Sequence, residues 1–112
     1  MLFKPGVNLT GVQEPTWYAI GVFEAIYKAH GFQLVVTSLT DGVHPDLKNI
    51  HGRGFAADLR TATVPQTTQD IIVSEASAVL FPLGFDVVHE ADHIHVEFDP
   101  KPSRDSWQME HA

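Results

Sequence analysis

The segment Asp86-Val87-Val88-His89-Glu90-Ala91-Asp92-His93-Ile94-His95-Val96-Glu97-Phe98 decides how this chain folds. It holds two short runs rich in β-branched and aromatic residues, about Asp86 to Glu90 and His93 to Phe98, which read as strands. So few residues separate them that a tight antiparallel hairpin is the economical connection. Side chains alternate along a strand, so His93 and His95 share a face of the second arm.

Upstream, Phe55 to Thr61 reads as another strand. Phe32 to Thr37 is a further apolar run, bounded by Gly31 and by the turn signal Thr40-Asp41-Gly42. Two helices complete the set. From Pro15 to His30 the apolar positions Ala19, Val22, Phe23, Ile26 and Tyr27 recur at helical spacing, with Pro15 suited to the first turn and Gly31 to the stop. Thr67 with Asp70 offers a start box for a second helix running to about Leu80. Its expected buried stripe is Ile72, Val73, Ala76, Val79 and Leu80, and Pro82 with Gly84 closes it. The fold class expected is α+β, a small antiparallel sheet packed against helices. Residues 1 to 13 read as an irregular lead-in, 40 to 54 as a long loop of the kind that carries function, and 100 to 112 as a polar tail anchored only by Trp107.

Size and composition fit that outline. A chain of 112 residues with 44% hydrophobic and 19% charged residues is one globular domain, its core spanning about 14 to 99. Fourteen acidic against seven basic residues give a net charge of −7, which repels a phosphate backbone, so no nucleic-acid partner is expected. No stretch approaches the length of a membrane span, and the N-terminus lacks the pattern of a signal peptide. The absence of cysteine excludes a disulfide scaffold, thiolate zinc sites and a cysteine nucleophile. Any metal must therefore sit on histidine and carboxylate, and there are seven histidines.

Two segments carry the chemistry. His51-Gly52-Arg53-Gly54-Phe55-Ala56-Ala57-Asp58 has the form H-x-x-G-x-A-x-D, and Asp92-His93-Ile94-His95 has the form D-x-x-H. Catalytic zinc uses three protein ligands and keeps a fourth position for water, and His51, Asp58 and His95 would supply that set. His51 must then lie in the glycine-rich loop while Asp58 points inward from its strand. Asp92, at the end of the hairpin, is close enough to reach a water on the metal. The plainer reading of Asp58 is a buried carboxylate paired with Arg60 or Arg53. His44 is open between loop structure and substrate contact. His89, Glu90 and Glu97 read as solvent-facing strand residues, with Glu90 near enough in sequence to compete with Asp92 as base.

Together these motifs resemble the M15 zinc peptidases, the D-Ala-D-Ala carboxypeptidases and L-Ala-D-Glu endopeptidases of bacterial cell walls, which include phage endolysins. The resemblance runs from the first helix to about Asp99. Thr37-Ser38-Leu39-Thr40-Asp41-Gly42-Val43-His44, Ala57-Asp58-Leu59-Arg60-Thr61 and Asp92-His93-Ile94-His95-Val96-Glu97-Phe98 are similar to a compact phage-associated branch of that family. It implies an M15/hedgehog-like fold, Zn2+ on His51, Asp58 and His95, and Asp92 as general base. It also implies that His93 stands behind the ligands or beside the oxyanion, and that Ser38, His44 and Arg60 contact substrate. Many members carry S-x-x-R before the first ligand, with the arginine on the substrate. Here Asp41 follows Ser38 at that spacing, and Asn49 replaces the usual serine two positions before the first ligand, so Arg53, Arg60 and His93 remain for the oxyanion.

The activity so implied is hydrolysis of peptide bonds in the stem peptides of peptidoglycan, by a monomer. Such a hydrolase would be made in the cytoplasm and would act on the cell wall after release or as part of a phage particle. The alternative is a non-catalytic zinc-containing binding module of the same fold. Asp92 argues for the enzyme, because a module without turnover has no need of a carboxylate three residues before the last ligand.

Overall fold

The computed structural model describes residues 1–39 and 54–99. In chain order they form β1 (Leu2–Phe3), α1 (Glu14–Ala29), β2 (Val35–Ser38), β3 (Ala56–Arg60), α2 (Gln66–Leu80), a 3-10 turn (Phe81–Leu83), β4 (Phe85–His89) and β5 (His93–Phe98). His44, His51, Arg53 and Trp107 lie outside the described residues.

The five strands make one sheet in the order β1-β2-β3-β5-β4. The α+β class holds, but the sheet is mixed where an antiparallel one was expected, because β1 pairs with β2 in parallel. Leu2 and Lys4 donate backbone hydrogen bonds to the Leu34 and Val36 carbonyls at 2.9 Å, so within the irregular lead-in Leu2–Phe3 form an edge strand. The other three pairings are antiparallel, and β4 and β5 form the expected hairpin.

Both helices cover one face of the sheet. Ala57 and Leu59 of β3, Ile94 and Val96 of β5 and Val36 of β2 are buried there against Ala19, Ile20, Phe23 and Tyr27 of α1 and Ile72, Ala76 and Leu80 of α2. Phe23 is wholly inaccessible, and truncating such a side chain to alanine costs about 3–5 kcal/mol. In α1, Pro15 fits the first turn and Gly31, at φ +84°, takes the left-handed conformation that ends the helix.

Three local expectations are corrected. The Thr67–Asp70 start box does not form: Pro65 is already the extended residue ahead of the helix, which puts Thr67 inside the first turn, while Asp70 accepts from Gln66 Nε2 at 3.1 Å. The buried stripe of α2 is Gln69, Ile72, Ala76 and Leu80, with Val79 one step off that face and exposed. His89 does not face solvent. Its register partner is Ile94, which places it on the helix side, where its Nε2 lies 2.8 Å from Gln69 Oε1. Gln69 Nε2 is committed to the Val64 and Thr61 carbonyls, so His89 Nε2 is the donor.

No helix among the described residues is long and apolar enough to cross a membrane.

Candidate metal and catalytic site

The face of the sheet away from the helices carries the polar side chains of β3 and β5. Their register sets Ala56 opposite Glu97, Asp58 opposite His95 and Arg60 opposite His93. Residues paired across a ladder point to the same face, so Asp58, Arg60, His93, His95 and Glu97 form one polar strip. On β2 the register slips between Val36 and Ser38, so that Val36 pairs with Leu59 but Ser38 pairs with Asp58. Such an irregularity re-aims a side chain, and here it moves Ser38 from the core parity of Val36 to the face of Asp58.

Glycine fixes the entry to this strip. Gly54 has φ +83°, and a Cβ on it would overlap the Gly11 carbonyl oxygen. Its own carbonyl accepts from Thr16 Oγ1 at 2.6 Å and from Gln13 N at 3.0 Å, which ties the start of α1 to the residue four before Asp58. The glycine of H-x-x-G-x-A-x-D is therefore a backbone requirement.

Carboxylates and imidazoles alternate along the strip. Asp92 Oδ1 lies 2.6 Å from His93 Nδ1, and His93 Nε2 lies 3.7 Å from Asp58 Oδ1. Asp58 Oδ1 lies 2.8 Å from His95 Nδ1, and His95 Nε2 lies 3.3 Å from Glu97 Oε1. Ionised carboxylates only accept hydrogen bonds, so the protons of these contacts belong to the imidazoles. Burial presses the pKa of His95 down, yet the hydrogen bond and charge of Asp58, reinforced by Glu97, leave it above the ordinary 6.5. The hydrogen bond from His93, and then its charge, hold the exposed Asp92 carboxyl below its usual range.

Of the sequence-predicted site residues, the structure thus brings together Asp58, His93, His95, Asp92, Ser38 and Arg60. His51, His44 and Arg53 fall outside the described residues. Asp58 is half-buried beside His95 and not ion-paired to Arg60. Arg60 is exposed at the end of β3 and makes no ion pair among the described residues. Glu90 is tied into the hairpin through its backbone. Its backbone N–H donates to the His93 carbonyl at 2.9 Å, which makes it the closing residue of the hairpin.

Glu97 is the residue the sequence reading undervalued. It is half-buried against His95 and is not a solvated strand carboxylate. The signal was present in the His95-Val96-Glu97 spacing, since residues two apart on a strand share a face.

The donor chemistry suits zinc: an imidazole nitrogen and a carboxylate oxygen stand in contact from adjacent strands, the mixed N/O set that a borderline cation takes. A second group, Asp86, Glu97 and Asp99, brings three carboxylate oxygens within 4.8 Å of one another. Oxygen alone is a donor set for harder cations, and exposed acidic groups like this one are common without any metal. No family model, curated protein or solved structure matches this chain.

Proposed function

We propose that the protein is a zinc-dependent peptidase, of the M15 type its motifs resemble, acting on the stem peptides of peptidoglycan. The observation that carries this reading is the Asp58–His95 contact at 2.8 Å, flanked on the same face by the Asp92–His93 pair. Two donors of the expected ligand set and the expected base meet on one strip, although Asp58 and Asp92 stand 34 positions apart in the sequence. The α+β architecture, with ligands on β3 and on the last strand, is compatible with that fold.

Asp58 and His95 would hold the metal with His51 as the third ligand. When bound, zinc would supply Lewis acidity toward a carbonyl oxygen and toward water. Asp92 does the proton work. Its Oδ1 is engaged by His93 and its depressed pKa keeps it ionised at neutral pH, so Oδ2 can accept a proton from an attacking water and return it to the leaving amine. His93 lies between Asp92 and Asp58. The 3.7 Å from its Nε2 to Asp58 is too long for a hydrogen bond, which leaves that nitrogen to donate, when protonated, to a developing oxyanion. Arg60, on the same face opposite His93, adds a positive charge for a substrate carboxylate, and Ser38 offers a hydroxyl beside Asp58.

Digestion of purified peptidoglycan, with the new termini read by mass spectrometry, tests the proposal. New N-terminal D-Glu means an L-Ala-D-Glu endopeptidase, and released D-Ala means a carboxypeptidase. A protein that binds zinc stoichiometrically but opens no peptide bond would instead be the binding module of the same fold.

A further inference from the structure

We infer that Glu97 is the carboxylate that positions His95 for metal binding, by accepting the Nε2–H and so reserving Nδ1 for the metal. The inference rests on the zinc reading above and adds to it a residue outside the ligand set.

A histidine offers a metal one nitrogen, and its other N–H needs an acceptor to fix the tautomer and the ring plane. The two nitrogens of His95 face different partners. Nδ1 is 2.8 Å from Asp58 Oδ1, itself a ligand in the zinc reading, whereas Nε2 is 3.3 Å from Glu97 Oε1. Only Nδ1 therefore points where the metal would be shared with Asp58. Glu97 reaches Nε2 along its own strand from two residues away, and its side chain is only 19% exposed, against 20% for His95. Opposite Glu97 on β3 stands Ala56, buried, whose methyl group neither competes for the carboxylate nor pushes it off the strip.

An acceptor at this position does three things. It holds the ring against rotation about χ1 and χ2, it makes the Nδ1 lone pair the exposed one, and its charge raises the basicity of that nitrogen. Loss of such a partner typically weakens metal affinity by about 10–100-fold without removing a ligand. Asp86 provides a control, since it lies opposite Glu97 on β4 and carries the same charge in the same patch, while its register partner is Glu97 and not His95.

The experiment is chelator competition for zinc on the full chain, with 15N NMR of the imidazoles in the zinc-loaded protein. Wild type should show His95 protonated at Nε2 and metal-bound at Nδ1. Glu97→Ala should weaken zinc binding about 10-fold or more and lose the protected Nε2–H resonance. Glu97→Gln, which keeps an acceptor oxygen without the charge, should fall between the two and also guards against a misfolded alanine variant. Asp86→Asn should stay within about twofold of wild type. Wild-type affinity in both Glu97 variants overturns the inference, as does an equal loss in Asp86→Asn, which would mean a general effect of negative charge. A wild-type protein that binds no zinc overturns instead the reading beneath it.

Discussion

Asp58 of β3 and His95 of β5 occupy one rung of the antiparallel ladder, with Oδ1 and Nδ1 2.8 Å apart, and the proton between them sits where a metal would bind both. On the zinc reading proposed above, metal binding would displace that proton. Because the His95 pKa is raised above 6.5, the competition extends to higher pH than it would for an ordinary histidine. Apparent zinc affinity should fall about tenfold per pH unit below the folded pKa of His95 and level off above it. In the metal-free protein the sign is opposite for stability: the ion pair contributes fully below pH 6.5 and is lost as pH rises through the raised value. Chelator competition and thermal melts across pH 5 to 9 measure both. An affinity independent of pH would separate His95 from the metal.

Asp92→Asn tests the base assignment. The amide is isosteric and can still pair with His93, so the hairpin and zinc content should survive while turnover falls by about 10²-fold or more. The alternative base, Glu90, closes the hairpin through its backbone, so Glu90→Gln should keep near wild-type rates. The reverse pattern would move the base to Glu90 and shift the motif alignment within the hairpin.

How far the sequence revealed this arrangement depended on whether a pattern was local. The hairpin was legible because period-two alternation in His93 to Phe98 is a property of the strand itself, and it put His93 and His95 on one face. The same rule extends to Glu97, but its charge led the sequence reading to assign it to solvent instead. His89 misled because Val87 and Val88 are both apolar, which leaves the parity of β4 undecided until its register with β5 is known. β1 has only two residues and no alternation to read, and its pairing is set by Leu34 and Val36, more than 30 positions away. The slip that turns Ser38 toward Asp58 is equally invisible, since it exists only between two strands.

Gly54 and Gly6 separate two costs of a positive φ. Both are left-handed, at +83° and +89°, but a Cβ on Gly6 meets open space while one on Gly54 overlaps the Gly11 carbonyl. Gly6→Ala should lose only the backbone strain, roughly 1–3 kcal/mol. Gly54→Ala should lose that and more, and it should also weaken zinc binding, because the strand carrying Asp58 starts two residues later. Thermal melts with metal titration measure the difference, and equal melting temperatures for the two variants would refute the overlap.

Tyr27 couples α1 to the far end of the site strand. Its side chain is buried, its hydroxyl donates to the Arg60 carbonyl at 2.9 Å, and burial pushes its pKa up to about 12. An acid whose folded pKa lies above its unfolded value of 10.0 stabilises the fold fully below that value and loses the contribution as pH rises toward 12. Tyr27→Phe removes the ionisation and the hydrogen bond together. At neutral pH it should destabilise by about 1 kcal/mol, the usual net worth of one such bond. As pH climbs from 10 to 12 the gap should close, because wild type alone must keep a phenol neutral that the unfolded chain would ionise. The difference between the wild-type and Tyr27→Phe absorbance titrations at the phenolate band isolates the Tyr27 curve, which should be displaced to about 12. A midpoint near 10 would mean that the ring is reached by water, and that Arg60 is not held from the helix side.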